Sequence, residues 1–101
     1  MIERHWKGIA KRSDAERYID HLTDETFPHL SSMPGFVRAS ILKRPTDKGI
    51  EFLIVTVWNS LEDIKQFAGE TIDEAVVPVK VQEMMVTFDA HASHYEVVSL
   101  K

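Results

Sequence analysis

Ile50-Glu51-Phe52-Leu53-Ile54-Val55-Thr56-Val57-Trp58 is the stretch on which the fold turns. Side chains of a strand alternate between its two faces, so Phe52, Ile54 and Trp58 point one way while Leu53, Val55 and Val57 point the other. A strand that is apolar on both sides has to be covered twice. Just before it, Asp47-Lys48-Gly49 carries turn chemistry, and Phe36 to Arg44 reads as another strand, opened by the turn pair Pro34-Gly35. The two strands therefore form a hairpin. Regular alternation along the earlier one sets Val37, Ala39 and Ile41 against Phe36 and Leu42, with Arg38 on the face of Phe36 and Ser40.

Working outward, Ile2 to Ile9 reads as a first strand. Ser13 followed by Glu16 has the spacing of a capping box, and Ala15, Tyr18, Ile19, Leu22 and Thr26 then recur at helical intervals. Pro28 should kink or end that helix, because it brings no N–H and crowds the preceding turn. Beyond the hairpin, Ser60 with Asp63 starts a helix whose inner face is Leu61, Ile64, Phe67 and Ala68, and Gly69 ends it. Thr71 with Glu74 suggests a further helical piece, continued from Pro78 to about Met85. Ala90 to Leu100 reads as the fourth strand.

The order β-α-β-β-α-β is that of a ferredoxin-like α+β fold with a four-stranded antiparallel sheet, here expected as one domain over residues 1–101. Two helices cover only one face of such a sheet. Leaving ~5 large side chains of the other face in water, at ~1.5–3 kcal/mol each, forgoes as much as the ~5–15 kcal/mol that stabilises a small domain. The simplest cover is a second copy related by a two-fold axis, so the pattern predicts a homodimer. A different partner chain is the alternative.

Bulk properties remove several functions. The 101 residues carry a net charge of −4 with no long basic run, which argues against a nucleic-acid or anionic-membrane surface. There is no cysteine, so thiolate catalysis and cysteine-held zinc are out. The longest apolar stretch, Phe52 to Trp58, is too short to cross a bilayer, and Met1 to Arg12 has no signal-like apolar core, which makes a cytoplasmic address the expectation. Two metal-like spacings fail on geometry. His91-x-x-His94 puts its rings on opposite faces of a strand, and His21, Glu25 and His29 share one helix face only if Pro28 does not break it. A solvated helix face explains those three residues equally well, and no metal is expected.

Arg4-x-Trp6-x-Gly8, Pro34-Gly35-Phe36, Trp58-x-Ser60-Leu61, Phe67-Ala68-Gly69-Glu70 with Ala75-Val76-Val77-Pro78, and His94-Tyr95-Glu96-Val97 together resemble the antibiotic biosynthesis monooxygenase-like family, across essentially the whole chain. The resemblance implies a dimeric α+β barrel. It fixes no single reaction, since the superfamily includes haem-degrading, haem-binding and stress-response members. The haem-degrading branch relies on an asparagine in the first strand, a tryptophan in the second helical region and a histidine soon after. Here the only asparagine is Asn59, the helix position holds Phe67, and no histidine lies between His29 and His91. The quinone-forming branch needs no cofactor: a phenol, once deprotonated, passes electrons to O2 while the protein supplies a base, a dry pocket and oxyanion stabilisation.

Under that reading His94 is the candidate base, on the last strand beside the first, and Arg4 the candidate anion stabiliser. Trp6 shares the face of Arg4 and is suited to stacking a planar ring, with Gly8 leaving room. Trp58, Phe67 and Arg38 complete the expected substrate-binding set, in a pocket between helices and sheet. Tyr95 faces away from His94 on a regular strand. Each of these residues also has a plain structural use, as core filler or surface charge. Two functions follow as alternatives: a cofactor-free monooxygenase acting on a small hydrophobic aromatic substrate, or a non-catalytic ligand-binding or stress-response dimer.

Overall fold

The computed structural model describes residues 1–101. Five strands form one antiparallel sheet: β1 (Ile2–Ala10), β2 (Phe36–Pro45), β3 (Ile50–Trp58), β4 (Met85–Phe88) and β5 (Ser93–Glu96). β3 lies between β2 and β1, and the far edge of β1 is shared by β4 and β5. The helices are α1 (Ala15–His21), α2 (Phe27–Ser31), α3 (Leu61–Ala68) and α4 (Val79–Gln82). The fold is the expected ferredoxin-like α+β arrangement.

Three helix expectations are corrected. Ser13 makes no capping bond; a 3-10 turn at Arg12–Asp14 leads into α1 instead, closed by Asp14 N–H on the Lys11 carbonyl at 2.9 Å. Pro28 does not end the helix. A π-helical turn, Leu22–Thr26, joins α1 to α2 and places Pro28 in the first turn of α2, where its missing N–H costs least. Thr71 to Glu74 is a turn rather than a helix. The Arg4 guanidinium takes the carbonyls of Ile72 and Glu74, which helical pairing would have used.

The fourth strand is corrected too. α4 ends at Gln82, and Met85 already belongs to β4, which pairs with Gly8 to Ala10. β5 pairs with Ile2 to His5. Between them residues 89–92 leave the ladder, because the 73–75 segment pairs with them: Ala75 N–H reaches the Ala90 carbonyl at 2.9 Å and Ala92 N–H the Asp73 carbonyl at 2.8 Å. Of the strand expected over Ala90 to Leu100 only Ser93–Glu96 forms, and β4 lies ahead of it where no strand was expected.

β2 carries a bulge. Phe36 pairs with Trp58 while Arg38 pairs with Val57, so Val37 is an extra residue. Phe36 therefore joins Ala39 and Ile41 on the helix-covered face, and Arg38 goes to the other, against the regular alternation. The bulge matches sequence to burial: Phe36 meets Trp58 edge to face at 5.3 Å.

The helix-covered face holds two apolar clusters. Tyr18 and Leu22 pack with Phe52, Ile54, Val81, Met84 and Met85 in one; Leu30, Trp58 and Ile64 form the other. The open face is mixed. Leu42, Leu53, Val55 and Tyr95 lie there, flanked by Glu3, His5, Lys7, Arg38 and Arg44 from β1 and β2. No helix is long and apolar enough to cross a membrane.

Candidate functional site

The buried members of the two clusters stay apart, and Phe27 packs against both. On β3, Thr56 stands between Ile54 and Trp58, and the residue opposite it on β1 is Arg4. Both are buried polar side chains on the helix-covered face. A cavity of about 100 Å³ opens over this gap, between the sheet and the α1–α2 segment. Arg4, Trp6, Ile54 and Thr56 line it from the sheet, and Tyr18, His21, Leu22, Thr26, Phe27 and Leu30 from the helices. Phe67 of α3 and Val76, Pro78 and Val81 complete the wall.

Arg4 is only 4% exposed and meets no carboxylate. Its Nη1 donates to the Ile72 carbonyl and to His94 Nε2 (2.9 Å), and its Nη2 to the Glu74 carbonyl at 2.9 Å. A guanidinium has five N–H donors, so Nε and one Nη2 hydrogen have no protein acceptor. No polar side-chain atom is both fully buried and unpaired, so Nε keeps some accessible surface, and the Arg4 side chain lines the cavity. Burial pulls the Arg4 pKa below its usual value, with Asp73 opposing. The Phe67 ring lies 5.7 Å from the guanidinium carbon.

Tyr18 is 2% exposed and its hydroxyl has no protein partner. Burial raises its pKa, so it is a neutral phenol that can donate a hydrogen bond. Thr56 Oγ1 accepts the Trp58 indole N–H at 2.9 Å, which leaves the threonine proton free to donate. The distal edge of the Trp6 indole reaches Gly8, where a Cβ would come within 2.7 Å of it, and its N–H reaches the Asp89 carbonyl at 2.8 Å.

The residues singled out in the sequence separate into three groups. Arg4, Trp6 and Phe67 share the cavity wall. His94 sits behind Arg4, joined to it through Nε2. Trp58 is wholly buried under α2 and α3, and Arg38 is exposed on the other face of the sheet.

Sequence reading missed Tyr18 and His21. The His21 side chain is 9% exposed rather than solvated, and its Nδ1 is 3.2 Å from Glu25 Oε2. Both Glu25 oxygens lie 2.7 Å from Lys80 Nζ. The signal was present in the pattern: His21 is three residues after Tyr18 and beside Leu22, on the apolar stripe of the helix.

The model of the family described as antibiotic biosynthesis monooxygenase matches residues 9–72, well over half of the chain. No curated protein matches it. Among solved structures, the chain is similar to a Bacillus cereus protein assigned to the antibiotic biosynthesis monooxygenases, with a TM-score of 0.69 and 19% identity over 100% of this chain and 94% of that one. A variant of SnoaB, a cofactor-independent oxygenase from Streptomyces nogalater, aligns with a TM-score of 0.67 and 14% identity, covering 98% and 94%. The heme-degrader MhuD from Mycobacterium tuberculosis, with two hemes bound, gives 0.62 and 17%, covering 100% and 99%. At these identities the likeness is one of fold.

Proposed function

Since the chain belongs to the antibiotic biosynthesis monooxygenase family, we propose that it oxygenates a small aromatic or hydroaromatic substrate in the cavity between helices and sheet, using O2 and no cofactor. The observation that carries this reading is Arg4: a buried guanidinium bonded to no carboxylate, on the wall of a mostly apolar cavity. A cation in a low-dielectric wall attracts an anion that forms beside it. An enolate or phenolate is such an anion, and Trp6, Phe27 and Phe67 supply flat apolar surface for the ring that carries it.

The reaction balances without a cofactor. A proton leaves an activated CH2 of the substrate, and its electron pair spreads onto the substrate oxygen beside Arg4. The carbanion carbon bonds one oxygen of O2, giving a hydroperoxide once protonated. Loss of the second C–H proton, with the outer oxygen leaving as hydroxide, breaks the O–O bond and leaves C=O. One oxygen atom enters the product and the other leaves as water.

Tyr18 and Thr56 donate to the substrate oxygen in this reading. His94 acts through Arg4: an arginine can only donate, so Nε2 of His94 spends its lone pair on Nη1 and the ring fixes the guanidinium. It is therefore a positioning residue here. A homodimer accompanies the proposal, with a second copy covering Leu42, Leu53, Val55 and Tyr95 on the open face of the sheet.

The test is oxygen uptake with a panel of reduced phenols and enolisable aryl ketones, wild type against Arg4→Gln. Protein-dependent uptake that falls ~10²–10³-fold in the variant is expected, as for loss of an oxyanion donor. Ligand binding without uptake above autoxidation favours the non-catalytic alternative.

A further inference from the structure

We infer that His21 is the general base of this site, oriented by Glu25 and held in register by Lys80; the inference rests on the cavity reading above and names its proton acceptor. His21 is the only histidine on the cavity wall. Its Nδ1 faces the Glu25 carboxylate at 3.2 Å, so Nδ1 carries the proton and Nε2 carries the free lone pair. That is the tautomer a base requires. His94 is in the opposite condition, with its Nε2 lone pair committed to Arg4.

The orientation is built from three elements. His21 ends α1, Glu25 lies in the π-helical turn, and Lys80 comes from α4. Glu25 receives Lys80 through both oxygens at 2.7 Å, and these bonds, with the one to His21, hold its carboxyl below the usual range. A carboxylate that stays ionised keeps the imidazole in one tautomer and stabilises the imidazolium that forms. The π turn also puts Leu22 and Thr26 on the cavity wall, next to the base. Tyr18, one turn earlier, offers its phenol to the same space.

The step is a proton transfer alone. The substrate C–H bond breaks, its proton goes to His21 Nε2, and the electron pair moves to the substrate oxygen facing Arg4. No oxidant takes part, so the step can be read without O2.

The experiment is anaerobic hydrogen exchange. 2-Tetralone, a fused aryl ketone with acidic CH2 hydrogens, is incubated in D2O with wild type, His21→Gln, His21→Asn and Glu25→Gln, and exchange is followed by proton NMR. Calorimetry measures binding of the same probe, and circular dichroism checks the fold. Wild type should accelerate exchange, both His21 variants should lose at least tenfold with binding kept, and Glu25→Gln should lose less. Wild-type binding without exchange, or undiminished exchange in folded His21 variants, overturns the base while leaving the cavity reading. Absence of binding overturns both.

Discussion

Arg4 Nη1 and His94 Nε2 lie 2.9 Å apart on neighbouring strands, at paired positions of β1 and β5. The guanidinium can only donate, so the histidine accepts and is neutral. Protonating His94 removes the acceptor and sets two cations against each other.

The first prediction is a pH dependence of stability. Burial, then the Arg4 charge, hold the His94 pKa below its ordinary 6.5, with Asp73 opposing. The unfolded chain therefore takes up this proton at a higher pH than the folded protein. The contribution of neutral His94 is complete above about 6.5 and is lost as pH falls through the lower folded value. Urea midpoints between pH 5 and 8 should drop toward pH 5 in wild type, and this part of the drop should vanish in His94→Gln. Glu25 and Glu51, lowered chiefly by their bonds to Lys80 and Arg44, respond only below the ordinary carboxylate value of 4.5.

Thr56→Val keeps shape and removes the acceptor of the Trp58 indole N–H. A buried donor left alone costs about 1–3 kcal/mol, so the unfolding free energy should fall by that amount and the urea midpoint with it. An unchanged midpoint would mean that the bond contributes nothing.

Trp58→Ala should cost about 3–5 kcal/mol, because the fully buried ring joins α2 and α3 to the sheet. Denaturant unfolding at fixed pH reads the loss directly. A cost below 1 kcal/mol would contradict its place in that cluster.

Gly8→Ala puts a methyl 2.7 Å from Trp6 Cη2, against the distal edge of the indole. The indole has to move, and its bond to the Asp89 carbonyl weakens. Tryptophan emission should shift, and affinity for an aryl ketone should fall at least fivefold. Unaltered emission would show that Trp6 is not pinned there.

The dimer is tested by sedimentation. Wild type should run at twice the 11.6 kDa chain mass, and Leu53→Glu, within the open face, should run at the chain mass. A wild-type monomer at micromolar concentration would remove the covered-face proposal.

Alternation along Ile50–Trp58, turn chemistry at Asp47-Lys48-Gly49 and the apolar stripe of the first helix determined the hairpin and the helix-covered sheet from sequence alone. These are local patterns with periods of two and 3.6 residues, and each is legible within about ten positions. What the tertiary structure decided has no such period. The Phe36–Arg38 bulge depends on Trp58 across the hairpin, and the late start of the last strand depends on residues 73–75 pairing with 90–92. The site followed the same rule. Arg4, Trp6 and Phe67 were legible as residue types and do share one wall, whereas Arg38 and Trp58 were carried elsewhere by the bulge and by burial. His21 read as a solvated helix residue because its surroundings come from β1, β3 and α4, which are distant in the chain and meet only in the fold.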